Sequence, residues 1–179
     1  AGAYAVVEEY AMNKELIQTI FSRRSIRKYT AEPVSEGDVK TLLEAAMAAP
    51  SANNSQPWRF IIVTERQVLD ALAEAHPHAK MLFQAPLCIA VCGDPAASAY
   101  WEQDCSAATE NLLLAATALG LGAVWLGVHP REDRVAAVRR VLSIPENIVP
   151  LNLLSIGHPT ETKEPRTQYN AAFVHRERW

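Results

Sequence analysis

Ala49-Pro50-Ser51-Ala52-Asn53-Asn54-Ser55-Gln56-Pro57-Trp58 separates a helical pattern from a strand, and the rest of the chain is organised around it. Pro50 ends the preceding helix, because proline lacks the amide donor and restricts the residue before it, while Pro57 and Trp58 start an extended run. The residues between the prolines are small, hydroxylic or amide-bearing, which lets backbone amides and carbonyls approach a flat heteroaromatic ring and read its edges. The turn chemistry of an ordinary helix-to-strand connection selects the same residues. A second segment just upstream, Arg23-Arg24-Ser25-Ile26-Arg27-Lys28-Tyr29, carries the charge that the loop lacks.

That basic segment has two readings. Cations at a helix C-terminus complement its dipole, and arginines often lie solvated on a surface. Gathered around one point, they form an anion cradle, in which guanidinium groups give forked, charge-assisted hydrogen bonds to phosphate and Ser25 adds a hydroxyl. A short helix delivers the chain to Arg23: Asn13 is the expected N-cap, and Leu16, Ile17, Ile20 and Phe21 fall at helical spacing.

Downstream, the pattern predicts a helix over 34–49, with Ser35 as N-cap and Val39, Leu42, Leu43, Ala46 and Met47 as its buried stripe. A strand follows over 60–63, a short helix over 67–75 and a second strand over 87–92, closed by Gly93-Asp94-Pro95. From about 97 to 119 the pattern is helical and nearly apolar all round, which predicts a helix buried on all sides, at the centre of the fold or in a subunit interface. Gly120-Leu121-Gly122 breaks it before a strand over 123–126 that ends at Gly127. The order helix, glycines, strand is the reverse of a dinucleotide fingerprint, so no Rossmann site is expected. Gly127 at a strand end instead lets backbone atoms approach a ligand closely. Pro130 is expected as the first residue of the next helix, with Val135, Val138, Val141 and Leu142 inward, Arg134 on its solvent face and Ile144-Pro145 closing it. A fourth strand runs over 151–156, and the tail beyond Gly157-His158-Pro159 is polar but carries Phe173 and Trp179, aromatics that call for cover.

With 179 residues and 49% hydrophobic content, the chain reads as one domain over 12–179, with 1–11 as an extension or expression remnant. A net charge of −3 gives no field that would draw in nucleic acid or an anionic membrane, so any anion site is local. Cys88, Cys92 and Cys105 form no CxxC pair and are odd in number, which suits a reducing, cytoplasmic setting. No metal site is expected, because His76 and His78 have no companion ligand cluster and read as loop histidines.

Four motifs in order carry a family resemblance. Arg23-Arg24-Ser25-Ile26-Arg27, the 49–58 loop, Gly120 to Gly127, and Ile156-Gly157-His158-Pro159 followed by Arg166 resemble the nitroreductase family of FMN flavoproteins. The resemblance covers Met12 to about Asn170. It implies an α+β fold, a three-layer α/β/α sandwich, in an intertwined homodimer with FMN in a groove at the subunit interface. It puts Arg23, Arg24, Ser25 and Arg27 against the phosphate, ribityl chain and pyrimidine of FMN. Pro50, Ser51, Ala52, Asn53 and Asn54 reach the isoalloxazine from the partner subunit. The backbone at Val124, Leu126 and Gly127 lines the flavin N5 edge, and Lys163 and Arg166 complete the phosphate site. The long insertion that larger members carry between the second strand and the central helix is missing here.

The implied activity is that of an FMN-dependent NAD(P)H oxidoreductase, reducing nitroaromatic, quinone or related small-molecule acceptors by ping-pong hydride transfer through flavin N5. In such a site the cofactor does the chemistry and the protein binds and orients it. A positive side chain near the N1 and O2 edge, Arg23 or Arg24, would stabilise negative charge there. Two alternatives remain at this point: an FMN carrier or sensor without turnover, and a basic segment that binds some other phosphate.

Overall fold

The computed structural model describes residues 15–179. Asn13, the expected N-cap, and the expected extension over 1–11 lie outside them. Among the described residues, α1 covers 15–22. There follow α2 (Glu36–Met47), β1 (Trp58–Val63), α3 (Arg66–Ala75), β2 (Leu87–Gly93), α4 (Trp101–Ala118), β3 (Gly122–Gly127), α5 (Glu132–Leu142) and β4 (Val149–Gly157). Ser35 caps α2 as its sequence predicts, accepting the Asp38 N–H at 3.0 Å.

The strands form one sheet in the order β1-β2-β4-β3, antiparallel at every neighbouring pair. β2 and β3 therefore run parallel with β4 between them, and α4 is the crossover that joins them. β2 explains the layering. Its Leu87, Ile89 and Val91 pack with Leu42, Trp101 and Leu112 beneath α2 and α4. Cys88, Ala90 and Cys92 pack on the opposite face with Leu69, Leu72 and Val138 of α3 and α5. A strand covered on both faces needs apolar residues at every position, which is why β2 reads as an unbroken run. The result is the α/β/α sandwich.

Glycines seat the basic segment against this sheet. A Cβ at Gly122 would stand 2.5 Å from Ile26 Cγ2, and one at Gly157 would stand 2.8 Å from Pro86 Cδ and 3.0 Å from Tyr29 Cβ. Gly120 is glycine for a conformational reason. At φ 73° it ends α4, where Leu121 N–H donates to Ala116 O at 2.8 Å.

Three expectations need correction. Pro130 does not open α5. It lies in a turn closed by Arg131 N–H donating to Val128 O at 3.0 Å, and α5 starts at Glu132. The helix ends at Ser143 in the left-handed conformation (φ 52°), before Ile144-Pro145 is reached. Nor is α4 buried on all sides within the chain, because Ala118 and Leu119 are exposed and Leu114 is only half-buried. Leu114 and Ala118 line an open cavity of about 340 Å³ with Leu16, Ala45 and Ala48.

Candidate functional site

The basic segment is held by backbone and carboxylate contacts on both sides. On one side it forms a parallel bridge with β3 at Ser25 and Ala123, where Ile26 N–H donates to Ala123 O at 3.0 Å. On the other, Thr30 N–H donates to His158 O and Thr160 N–H to Lys28 O, which ties the segment to the chain leaving β4. Arg27 N–H donates to Glu161 Oε1 at 2.7 Å, and Lys163 Nζ lies 3.8 Å from the same carboxylate. The Arg27 amide, with Lys163 helping, holds the Glu161 carboxyl below the usual carboxylate range. Lys163 Nζ also donates to Ser25 O, and Arg24 Nη1 to Glu164 O.

These ties gather Arg24, Ser25, Arg27, Lys163 and Arg166 around one polar cavity of about 230 Å³. Four cations and a hydroxyl around so small a space make it a candidate anion site. Arg23 turns elsewhere: its Nε lies 3.6 Å from Glu110 Oε1 on α4. Burial raises the Glu110 carboxyl above its ordinary value, against the pull of Arg23.

Arg27 also borders a second cavity, of about 400 Å³, lined by His76, His78, Met81, Trp125, Leu126 and Gly127. The two cavities thus share Arg27 as a wall, and the second follows the outer edge of β3 at Trp125, Leu126 and Gly127. The hydrogen-bonding alternation decides what β3 offers to it. Val128 N–H donates inward to Leu151 O at 3.0 Å, whereas the carbonyl of Ala123 points outward to Ile26. In the same register Val124 and Leu126 turn their polar backbone groups toward β4, and Trp125 and Gly127 turn theirs toward the outer edge. The Val124 side chain is buried in the core. A Cβ added at Gly127 would meet nothing within 4 Å, so the sheet face is open at this glycine.

The Gly127 carbonyl receives two donors, His76 Nε2 at 2.8 Å and Arg134 Nη1 at 3.0 Å. His78 N–H donates to His76 Nδ1 at 3.2 Å, which leaves the ring proton on Nε2 and fixes a neutral tautomer. Burial holds the His76 pKa below that of an ordinary histidine, and the charge of Arg134 pushes the same way. Two sequence expectations change here. His76 does follow α3 as a loop residue, but it is 1% exposed and built into the groove wall. Arg134 is half-buried rather than solvent-facing, because the first turn of α5 reaches over the end of β3. Periodicity along one helix could not reveal that contact. The proline next to two histidines was the only local hint of His76.

Within the chain the 49–58 loop is no part of either cavity wall: Pro50, Ser51, Ala52, Asn53 and Asn54 line neither. A short 3-10 turn over Ala52–Asn54 shapes it, with Asn53, Asn54 and Gln56 at φ 52°, 53° and 48°. Left-handed backbone without glycine is strained, and asparagine tolerates it best. A buried carboxylate anchors the loop: Asp104 Oδ1 accepts the Ala52 N–H at 3.0 Å, and Oδ2 accepts the Ser98 hydroxyl at 2.7 Å. Strain that the surroundings maintain in this way marks a candidate functional element.

Comparison with known proteins gives the family and the fold. The family model described as "Nitroreductase family" matches residues 20–80 and 70–158. A protein named "Putative NADH dehydrogenase/NAD(P)H nitroreductase" from Archaeoglobus fulgidus is 49% identical over 173 residues, covering 93% of this chain and 99% of that protein. A crystal structure of the same name from Parabacteroides distasonis superposes with a TM-score of 0.90 at 45% identity, covering 92% and 99% of the two chains. A structure named as an FMN-dependent nitroreductase from Clostridium difficile gives a TM-score of 0.87 at 29% identity, covering 91% and 99%.

Proposed function

This chain belongs to the nitroreductase family, and from that premise we propose that it is an FMN-dependent NAD(P)H oxidoreductase acting on nitroaromatic, quinone or related acceptors. The observation that carries the reading is the pair of neighbouring cavities that share Arg27, one lined by four cations and the other by the outer edge of β3 at Trp125 to Gly127. The residues fit the cofactor. Arg24, Arg27, Lys163 and Arg166 neutralise a phosphate, Ser25 adds a hydroxyl, and the outward N–H of Gly127 offers a donor to a ring nitrogen. When bound, FMN supplies hydride acceptance from NAD(P)H and hydride delivery to the acceptor at N5, in a ping-pong sequence.

The protein's own part is positional and electrostatic. Glu161 accepts from the Arg27 backbone amide and lies beside Lys163, which holds the segment in place and offsets part of the positive charge. Arg27, which borders both cavities, is the cation placed to stabilise negative charge on the ring beyond the phosphate, whereas Arg23, expected from the sequence for that part, pairs with Glu110 instead. The Pro50 to Asn54 loop completes the site from a second copy of the chain. Its position outside its own groove supports this, as do the open apolar stripe of α1 and α4 and the exposed aromatics of the tail. Residues 12–179 then form one FMN-binding domain, and the dimer holds FMN at its interface.

The test is a fluorescence titration of FMN into flavin-free protein, followed by steady-state NAD(P)H oxidation with a quinone or nitroarene. Arg27→Ala should weaken FMN binding about ten- to a hundredfold, the worth of a charged hydrogen bond. Equal affinities in wild type and variant would sink the phosphate assignment. Bound FMN without NAD(P)H oxidation would point to a carrier or sensor.

A further inference from the structure

A glycine at a strand end has wide backbone freedom, so its N–H makes an aimed donor only if something else fixes the residue. At Gly127 two side chains from different elements do this. His76, just after α3, and Arg134, on α5, converge on the Gly127 carbonyl at 2.8 and 3.0 Å. In a strand the N–H and C=O of one residue point to the same side, so holding the carbonyl also sets the direction of the N–H. The following amide is fixed too, by Val128 N–H donating to Leu151 O at 3.0 Å.

Neither side chain is there for packing alone. An apolar residue would fill the place of His76 without the desolvation that a buried imidazole requires. The ring instead uses both nitrogens, one on Gly127 O and the other accepting from His78 N–H. Arg134 Nε is buried with no protein partner among the described residues, a cost that only the contact made by Nη1 offsets.

We propose that His76 and Arg134 are positioning residues that together aim the Gly127 amide at the edge of the flavin ring. Neither touches the reacting atoms. The claim rests on the FMN reading above, and it assigns to two residues outside the four family motifs a role in tuning the cofactor.

The experiment compares wild type with His76→Leu, His76→Gln and Arg134→Met. Leucine removes the donor at similar volume, glutamine returns an N–H at the reach of Nε2, and methionine keeps only the arginine stem. Each protein is examined flavin-free, by the ¹⁵N–¹H signal of Gly127, and loaded with FMN, by affinity, absorption spectrum and flavin midpoint potential. The Gly127 signal should shift or broaden in His76→Leu and Arg134→Met. FMN affinity should fall about three- to tenfold in each, with a changed spectrum and potential, as for loss of one directed hydrogen bond. His76→Gln should bring all four readouts back toward wild type, which a merely structural role does not predict. If His76→Leu does not fold, Arg134→Met and His76→Gln decide the matter. Wild type that binds FMN while the folded variants match it in every readout overturns this inference alone. Wild type that binds no FMN overturns the functional reading and this inference with it.

Discussion

Two glycines a few residues apart in β3 have opposite reasons for being glycine. At Gly122 a Cβ would press on Ile26 at 2.5 Å, so Gly122→Ala should lower thermal stability and loosen the basic segment from the sheet. At Gly127 a Cβ meets only open space, so Gly127→Ala should melt like wild type, and it should lose FMN affinity if the ring lies over this position as proposed. Thermal unfolding of the flavin-free proteins beside FMN titration separates the two, and equal FMN affinity for Gly127→Ala and wild type would argue against a ring at that edge. His76 gives a prediction in pH. Burial, with Arg134 and His78, lowers its pKa in the folded protein, and the Gly127 carbonyl and Asp133 oppose this less strongly. The unfolded chain therefore binds a proton that the folded one resists, and stability falls as pH drops below about 6.5, the ordinary histidine value. Denaturant unfolding at about pH 7.5 and 5.5 should show a larger loss for wild type than for His76→Gln, and parallel losses would contradict the assignment.

At the scale of elements, α4 organises both the core and an open surface. Its Leu112, Leu113 and Ala116 are buried, yet Leu114 and Ala118 face an uncovered cavity beside α1. If a second chain covers that stripe, Leu114→Lys should leave the helical circular dichroism intact and yield a monomer, because a lysine there buries an unpaired charge. Sedimentation equilibrium at micromolar concentration reads the outcome, and an undisturbed dimer would place the interface elsewhere. The elements themselves were legible in the sequence wherever local chemistry fixes them. β2 announced itself by its apolar run before Gly93, and α2 by Ser35 and its stripe. Pro130 misled because proline suits the first position of a helix and a turn equally well. His76 and Arg134 were illegible as site residues, since they meet at Gly127 only after α3, β3 and α5 have packed. Asp104 was hidden for the same reason, as its partner Ala52 is far away in the sequence.

At the scale of the whole molecule, the described residues leave several large apolar side chains exposed. The tail exposes Tyr169, Phe173 and Trp179, α1 exposes Leu16 and Ile17, and the strained 49–58 loop lies outside the groove its residues are proposed to serve. The proposed arrangement accounts for all three: a homodimer in which each FMN lies on the basic segment of one chain and under the loop of the other. Two-fold symmetry makes the arithmetic strict. Homodimers of Arg27→Ala or of Asn54→Ala have a lesion in both sites, whereas a dimer of one chain of each has both lesions in one site and none in the other. The deciding measurement is the FMN retained by such heterodimers, refolded together from differently tagged chains and isolated by both tags. The account predicts one wild-type-like FMN site per heterodimer, with NAD(P)H:quinone turnover to match, and FMN retention in the heterodimer no higher than the mean of the two homodimers would contradict it.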